Sequence, residues 1–263
     1  MPSLDFKGGQ IAFDVSGKGP CVVLLHGFLE TKAIWKDYSI ELSRHYKVLT
    51  VDLPGHGSSS NFGYCHPMEL MANAVMAVLK SMKIRRFYIV GHSMGGYVAM
   101  AMAELYPDSI KGLCLFHSTA DSDSAQKQKE RKRVIKVVQK NKHIFIKESI
   151  PNLFNTEYKP YKTAIASIIK SANTISVQNI IASLEGMRIR INRQIVLKFA
   201  HYPVLFIIGQ KDRILPYTKL IEESKLSEYA DYLLLEDTGH MGFIEDKQSC
   251  LQAINAFLKR PKV

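Results

Sequence analysis

Arg86-Phe87-Tyr88-Ile89-Val90-Gly91-His92-Ser93-Met94-Gly95-Gly96 decides how this chain is read. An apolar, β-branched run ends at Val90, glycines flank a serine in a G-x-S-x-G spacing, and a helix-like stretch runs from Met94 to Tyr106. This is the pattern of a strand that turns sharply into a helix with the serine at the apex. Gly91 and Gly95 remove side chains where the two arms of the turn crowd each other. The serine is held in a strained conformation at a helix N-terminus, where free N–H groups favour a developing negative charge. Ser93 is therefore the expected nucleophile. His92 adjoins it, but neighbouring side chains at a strand end point to opposite faces, so His92 is expected to pack and not to act as base.

Outward from this turn, the same kind of run recurs. Cys21–Leu25, Tyr46–Val51, Ile110–Phe116, Pro203–Ile208 and Asp231–Leu235 are short and apolar on both faces, as strands inside a parallel sheet are. Helical spacing separates them at Pro67–Met82, Met94–Tyr106 and Asp246–Lys259. Ser3–Lys7 and Gln10–Val15 read as an antiparallel hairpin turned at Gly8-Gly9, at the edge of the sheet. The alternation predicts an α/β fold: a mostly parallel sheet of eight strands with helices on both faces.

A serine on such a turn is followed along the chain by its acid and then its base. Of nine histidines, only His117, His143, His201 and His240 follow Ser93. His240 sits in Thr238-Gly239-His240-Met241, directly after the last strand, where catalytic groups of open α/β sheets gather. His201 precedes a strand, His143 falls in a helical segment, and His117 comes before the acid. His240 is the expected base. Asp212 closes the run Pro203 to Ile208 after a glycine turn and is the expected acid, with Asp121 and Asp123 as the alternatives. His26-Gly27-Phe28 ends the strand Cys21–Leu25, so the amides of Phe28 and of Met94, the residue after the nucleophile, are the expected oxyanion hole. His26 is expected to brace that loop.

Between Ser118 and Tyr202 no strand signal survives. Thr119–Ala200 holds 16 Lys and Arg against six Asp and Glu, nearly all of the chain's net charge of +11. Ala125–Lys142, Tyr161–Ser171 and Val177–Met187 have helical spacing. The expected organisation is a core of residues 1–118 and 199–263, with residues 119–198 inserted as a helical cap. The basic helix starting at Lys127 has no interleaved aromatics, so solvation of the cap explains its charge better than nucleic-acid binding.

Together these motifs resemble the α/β-hydrolase superfamily, in its capped, single-domain, carboxylesterase-like form. The carriers are His26-Gly27-Phe28, Asp52-Leu53-Pro54-Gly55-His56-Gly57-Ser58-Ser59, Gly91–Gly96, Gly209–Asp212 and Gly239-His240. The resemblance implies cleavage of carboxylic esters through an acyl-enzyme, with a small-molecule substrate and no cofactor. Relatives that cleave carbon–halogen bonds or epoxides carry an aspartate where Ser93 stands. A carbon–carbon bond hydrolase and a slow-turnover ligand receptor are the alternatives. No HExxH and no Cys/His cluster at zinc spacing suggests a metal. The four cysteines are widely spaced, no apolar run reaches ~18 residues, and the start lacks a secretory pattern. A cytoplasmic location is expected.

Overall fold

Two strands, β3 (Cys21–Leu25) and β5 (Phe87–His92), are buried at every residue and form the middle of the sheet. The computed structural model describes residues 2–155 and 161–260. Residues 156–160 of the expected cap, and Met1 and 261–263 of the expected core, lie outside them. The other strands are β1 (Ser3–Phe6), β2 (Gly9–Ser16), β4 (Lys47–Val51), β6 (Ile110–Phe116), β7 (Val204–Gly209) and β8 (Ala230–Leu235). Their order is β1-β2-β4-β3-β5-β6-β7-β8. Pairing is parallel from β4 to β8 and antiparallel for β1–β2 and β2–β4. The order reverses at β3, with β4 on one side and β5 on the other. A crevice therefore opens between the C-terminal ends of β3 and β5, the place where ligands bind in open α/β sheets.

The edge hairpin turns one residue earlier than expected. Gly9 already pairs with Phe6, and the turn is Lys7-Gly8, with φ of 47° and 80°. Positive φ at both central residues is the two-residue turn that matches strand twist.

The helices are α1 (Lys36–Leu42), α2 (Met68–Ser81), α3 (Met94–Leu105), α4 (Ala125–Ser149), α5 (Lys162–Ala172), α6 (Val177–Arg188), α7 (Gln194–Lys198), α8 (Tyr217–Ser224), α9 (Gly242–Glu245) and α10 (Lys247–Leu258). They cover both faces of the sheet. In α2 the buried positions Met68, Met71, Ala72, Val75 and Leu79 follow the three-and-four spacing of one helix face. In α3 every residue from Met94 to Ala103 is buried, and its glycines and alanines let it lie close to the sheet. Between Ser118 and Tyr202 the described residues are helical or irregular. The helix expected to end at Lys142 reaches Ser149, because Asn141 leaves helical geometry and its side chain accepts the N–H of Ile144, capping a second helical run.

Arg193 ties this segment to the core. Its side chain is 2% exposed; it pairs with Glu69 on α2 and at 2.9 Å with Glu104 on α3, and its amide donates to Ala120 O. The two carboxylates are 39% and 35% exposed and regain water if the guanidinium goes. Arg193→Ala should therefore cost about 1.5–3 kcal/mol, the worth of hydrogen bonds to charged groups. Urea unfolding followed by circular dichroism measures it; no change in midpoint would show that the clamp is idle.

Candidate active site

The turn after β5 sets the site. Ser93 has φ 50° and ψ −115°, a left-handed conformation rare for a residue with a side chain. A Cβ on Gly91 would lie 2.3 Å from Gly95 O, and one on Gly95 would lie 2.4 Å from Leu25 O, so only glycine permits this turn. Ser93 N–H donates to Phe116 O, and Ser118 Oγ donates to Ser93 O at 2.8 Å. The strain is thus held by bonds to the neighbouring strand end.

Ser93 Oγ lies 2.8 Å from His240 Nε2, and His240 Nδ1 lies 2.7 Å from Asp212 Oδ2. Because a carboxylate can only accept, Nδ1 carries the ring proton and Nε2 is left to accept from the serine hydroxyl. Asp212 Oδ1 accepts the amides of Ile214 and Leu215 at 2.7 and 3.1 Å. Burial alone would raise the Asp212 pKa, but His240 and His117 beside it outweigh burial and hold the carboxyl well below the usual range. The expected residues Ser93, His240 and Asp212 are thus brought together. Asp123 is instead taken up by Arg131 and Arg190, and Asp121 accepts from Asn192 at 2.7 Å.

Ser93 and His240 open on a cavity of about 350 Å³. Phe28, Val134, Phe145, Leu153, Leu184 and Met187 give it mostly apolar walls, and Lys127, Glu130 and Arg131 also line it. A larger cavity of about 760 Å³ lies beside it and shares Tyr97, Lys127, Arg131 and Ile214. The smaller one contains Ser93 and His240.

A family model described as the alpha/beta hydrolase fold matches residues 20–127. A solved thermophilic esterase from Thermogutta terrifontis superposes with a TM-score of 0.91 at 28% identity, over 98% of this chain and 96% of that one. The chain belongs to the α/β-hydrolase superfamily. It is an enzyme of that type. Over 96% of its length it is also 26% identical to the dihydrolipoyllysine-residue acetyltransferase component of an acetoin cleaving system from Pseudomonas putida, matching 68% of that protein. An uncharacterized Mycobacterium tuberculosis protein is 34% identical over 43% of this chain, but the match spans only 34% of that protein's length. Among the described residues no helix is long and apolar enough to cross a membrane.

Within this hydrolase framework, Phe28 lies on the loop after β3 and Met94 is the first residue of α3. The amides of Gly96 and Tyr97 donate back to Ser93 O, whereas the Met94 amide stands where a helix offers no internal acceptor. The Gly27 amide is already given to Glu30 Oε2. His26 braces the loop, accepting the Leu53 amide at Nε2 and donating from Nδ1 to Gly27 O.

Around His240, Glu245 and Leu153 carry no legible signal in the sequence, and His117 is legible only as a rejected base. Glu245 accepts the amides of Gly239, Met241 and Asn155, fixing the loop on both sides of His240. Leu153 O accepts the His240 amide at 2.6 Å, so the segment between β6 and β7 touches the loop that carries His240 through its backbone. His117 is fully buried beneath the site, and burial pushes its pKa down to about 4. It accepts the Gly242 amide at Nε2, which puts its proton on Nδ1, aimed at Asp212 Oδ2 3.6 Å away. That is too long for a hydrogen bond, but the dipole favours the carboxylate.

Donor atoms of His117, Asp212 and His240 converge within 4.8 Å, a set that by residue type could hold a metal. The proton positions oppose it. The imidazole nitrogens facing the carboxylate are both N–H, so a cation would have to displace two protons and the Asp212–His240 bond.

Proposed function

We propose that this chain is a serine hydrolase of carboxylic esters, with Ser93 as nucleophile, His240 as base and Asp212 as the acid that orients the base. The observation that carries this reading is the unbroken hydrogen-bonded series Ser93–His240–Asp212 opening on a mostly apolar cavity. His240 Nε2 takes the Ser93 proton as Oγ attacks the acyl carbon. The carbonyl oxygen becomes an oxyanion, held by the amides of Phe28 and Met94. The imidazolium returns the proton to the leaving alcohol, and the acyl group stays on Ser93. Water, deprotonated by His240, then attacks the acyl-enzyme, and the acid leaves as Ser93 regains its proton. Apart from the ester and water, every group in this cycle is a side chain or amide of this chain.

Residues 119–198 act, in the same reading, as a cap over the core of residues 1–118 and 199–263. Phe145, Leu153, Leu184 and Met187 come from this segment and wall the cavity, so it selects the acyl group that enters. Part of its positive charge is spent on internal pairs such as Arg131 and Arg190 with Asp123. That supports a solvated, self-paired cap over one that steers anionic substrates. Four free cysteines, three of them buried, suit a reducing, cytoplasmic setting.

A series of p-nitrophenyl esters of increasing acyl length tests the function. We expect turnover of short and medium acyl groups, with kcat/KM falling once the chain outgrows the cavity. Leu184→Ala should move that limit to longer chains. Turnover of no ester in the series would contradict the proposal.

A further inference from the structure

His92 and Glu30 do no chemistry in the cycle above, yet both are buried beside it, at 1% and 3% exposure. His92 Nδ1 lies 3.0 Å from Glu30 Oε2, and His92 Nε2 lies 2.9 Å from His240 O. The His240 carbonyl can only accept, and so can Glu30 as the carboxylate, the form that His92 beside it favours against burial. An imidazole that bonds an acceptor at each nitrogen must carry a proton on each, so His92 is an imidazolium. The same Glu30 oxygen also accepts the Gly27 amide, one residue before Phe28.

We propose that the Glu30–His92 ion pair is a positioning device that ties the oxyanion loop after β3 to the base loop after β8, holding Phe28 and His240 in register with Ser93. The inference rests on the reading of those three residues as the reacting parts. Its logic is geometric. Glu30 grips the Gly27 amide, His92 is anchored by the chain immediately before Ser93, and its far nitrogen grips the peptide of the base itself. One buried pair thus spans three loops that come from strands β3, β5 and β8. A neutral imidazole donates only once, so with Glu30 ionised only the imidazolium keeps both bonds.

Burial opposes charge on both members, and each overcomes it in the other. Glu30 raises the His92 pKa, while His92 lowers that of Glu30. The titratable groups facing His92 are Glu30 and His26 on the loop after β3, His117 after β6, Asp212 after β7 and His240 after β8. Because the His92 pKa is raised, the brace is intact below that raised value and is released as pH climbs through it. An alkaline fall in kcat follows, and it should shift to lower pH when Glu30 is neutral.

The test uses Glu30→Gln, His92→Gln and the double variant, with kcat expressed per site titrated by a fluorophosphonate so that loss of folded protein does not count. Glu30→Gln keeps the shape and the bond to Gly27 but removes the charge, so His92 becomes neutral and must release one acceptor. We expect kcat to fall about 10- to 100-fold in each single variant with KM within about threefold, the cost of a small misplacement of reacting groups. The double variant should be no worse than the weaker single, because the two residues act as a unit. Heteronuclear NMR of the ring nitrogens should find His92 doubly protonated near neutral pH in the parent and singly protonated in Glu30→Gln. Either a neutral His92 in the parent, or kcat per titrated site within about twofold of the parent in both single variants, overturns the brace. If the parent neither labels nor turns over, the reading of Ser93 fails, and the NMR result still decides the state of His92.

Discussion

Ser93→Ala is expected to lower ester turnover by on the order of 10⁶-fold in kcat, the loss seen when a serine nucleophile is removed from such a relay. The hydroxyl is the only group in the turn placed to attack, 2.8 Å from the nitrogen that would take its proton. What should survive is weak catalysis from the oxyanion amides and binding alone. The fold should be unaffected, because alanine inherits the same backbone strain and gives up only the part-buried bond to His240. Glycine at this position should go further and stabilise the protein by about 1 kcal/mol, since φ 50° is costly for any residue with a Cβ. An inactive but more stable Ser93→Gly enzyme would show strain kept for function. Chemical denaturation together with steady-state kinetics reads both effects.

Asp212→Asn should lower kcat by about 10⁴-fold with little change in structure. The amide can still accept the Ile214 and Leu215 amides at its oxygen. Facing His240 it presents an N–H, so the ring is favoured in the wrong tautomer, with its proton toward Ser93. The loss should not be recovered at any pH, because the defect is tautomeric. By contrast, Asp121→Asn and Asp123→Asn should leave kcat within about threefold, since their partners are Asn192 and the pair Arg131 and Arg190. A larger loss from Asp123→Asn than from Asp212→Asn would move the acid to the loop after β6.

The inner strands β3 to β7 were legible because burial on both faces leaves an unbroken apolar run, and Cys21–Leu25 and Ile110–Phe116 are bounded as read. By contrast β8, read as apolar on both faces, is the sheet edge with only Leu235 buried. Helices α1 and α8 were not. In α1 only Tyr38 and Leu42 are buried, a single i,i+4 pair, too little to set a period in seven residues. In α8 the buried face includes Glu223 and Ser224, so polarity hides it; Glu223 is held there by Thr119 and Ala120. β5 runs on to His92, past the last apolar residue, because Gly91 and His92 pair with Leu115 and Phe116. That pairing is tertiary and leaves no local mark.

The site divides the same way. Ser93, Asp212 and His240 each follow a readable strand, and chain order then assigns their roles. Glu30, His117 and Glu245 act through bonds to backbone amides or to neighbouring rings across the sheet, and no spacing in one sequence records such a bond. His92 illustrates the limit. Strand alternation turned it away from the serine hydroxyl, but it could not reveal that the far side holds Glu30 and the His240 peptide.

The most direct test of the central claim is covalent. The parent protein is treated with a fluorophosphonate, and the adduct is located by intact-mass measurement and peptide mapping. The account predicts one adduct per chain, on Ser93, formed rapidly, absent from Ser93→Ala and much slower in His240→Gln. An adduct on another residue, or equal labelling of the Ser93→Ala variant, would contradict it.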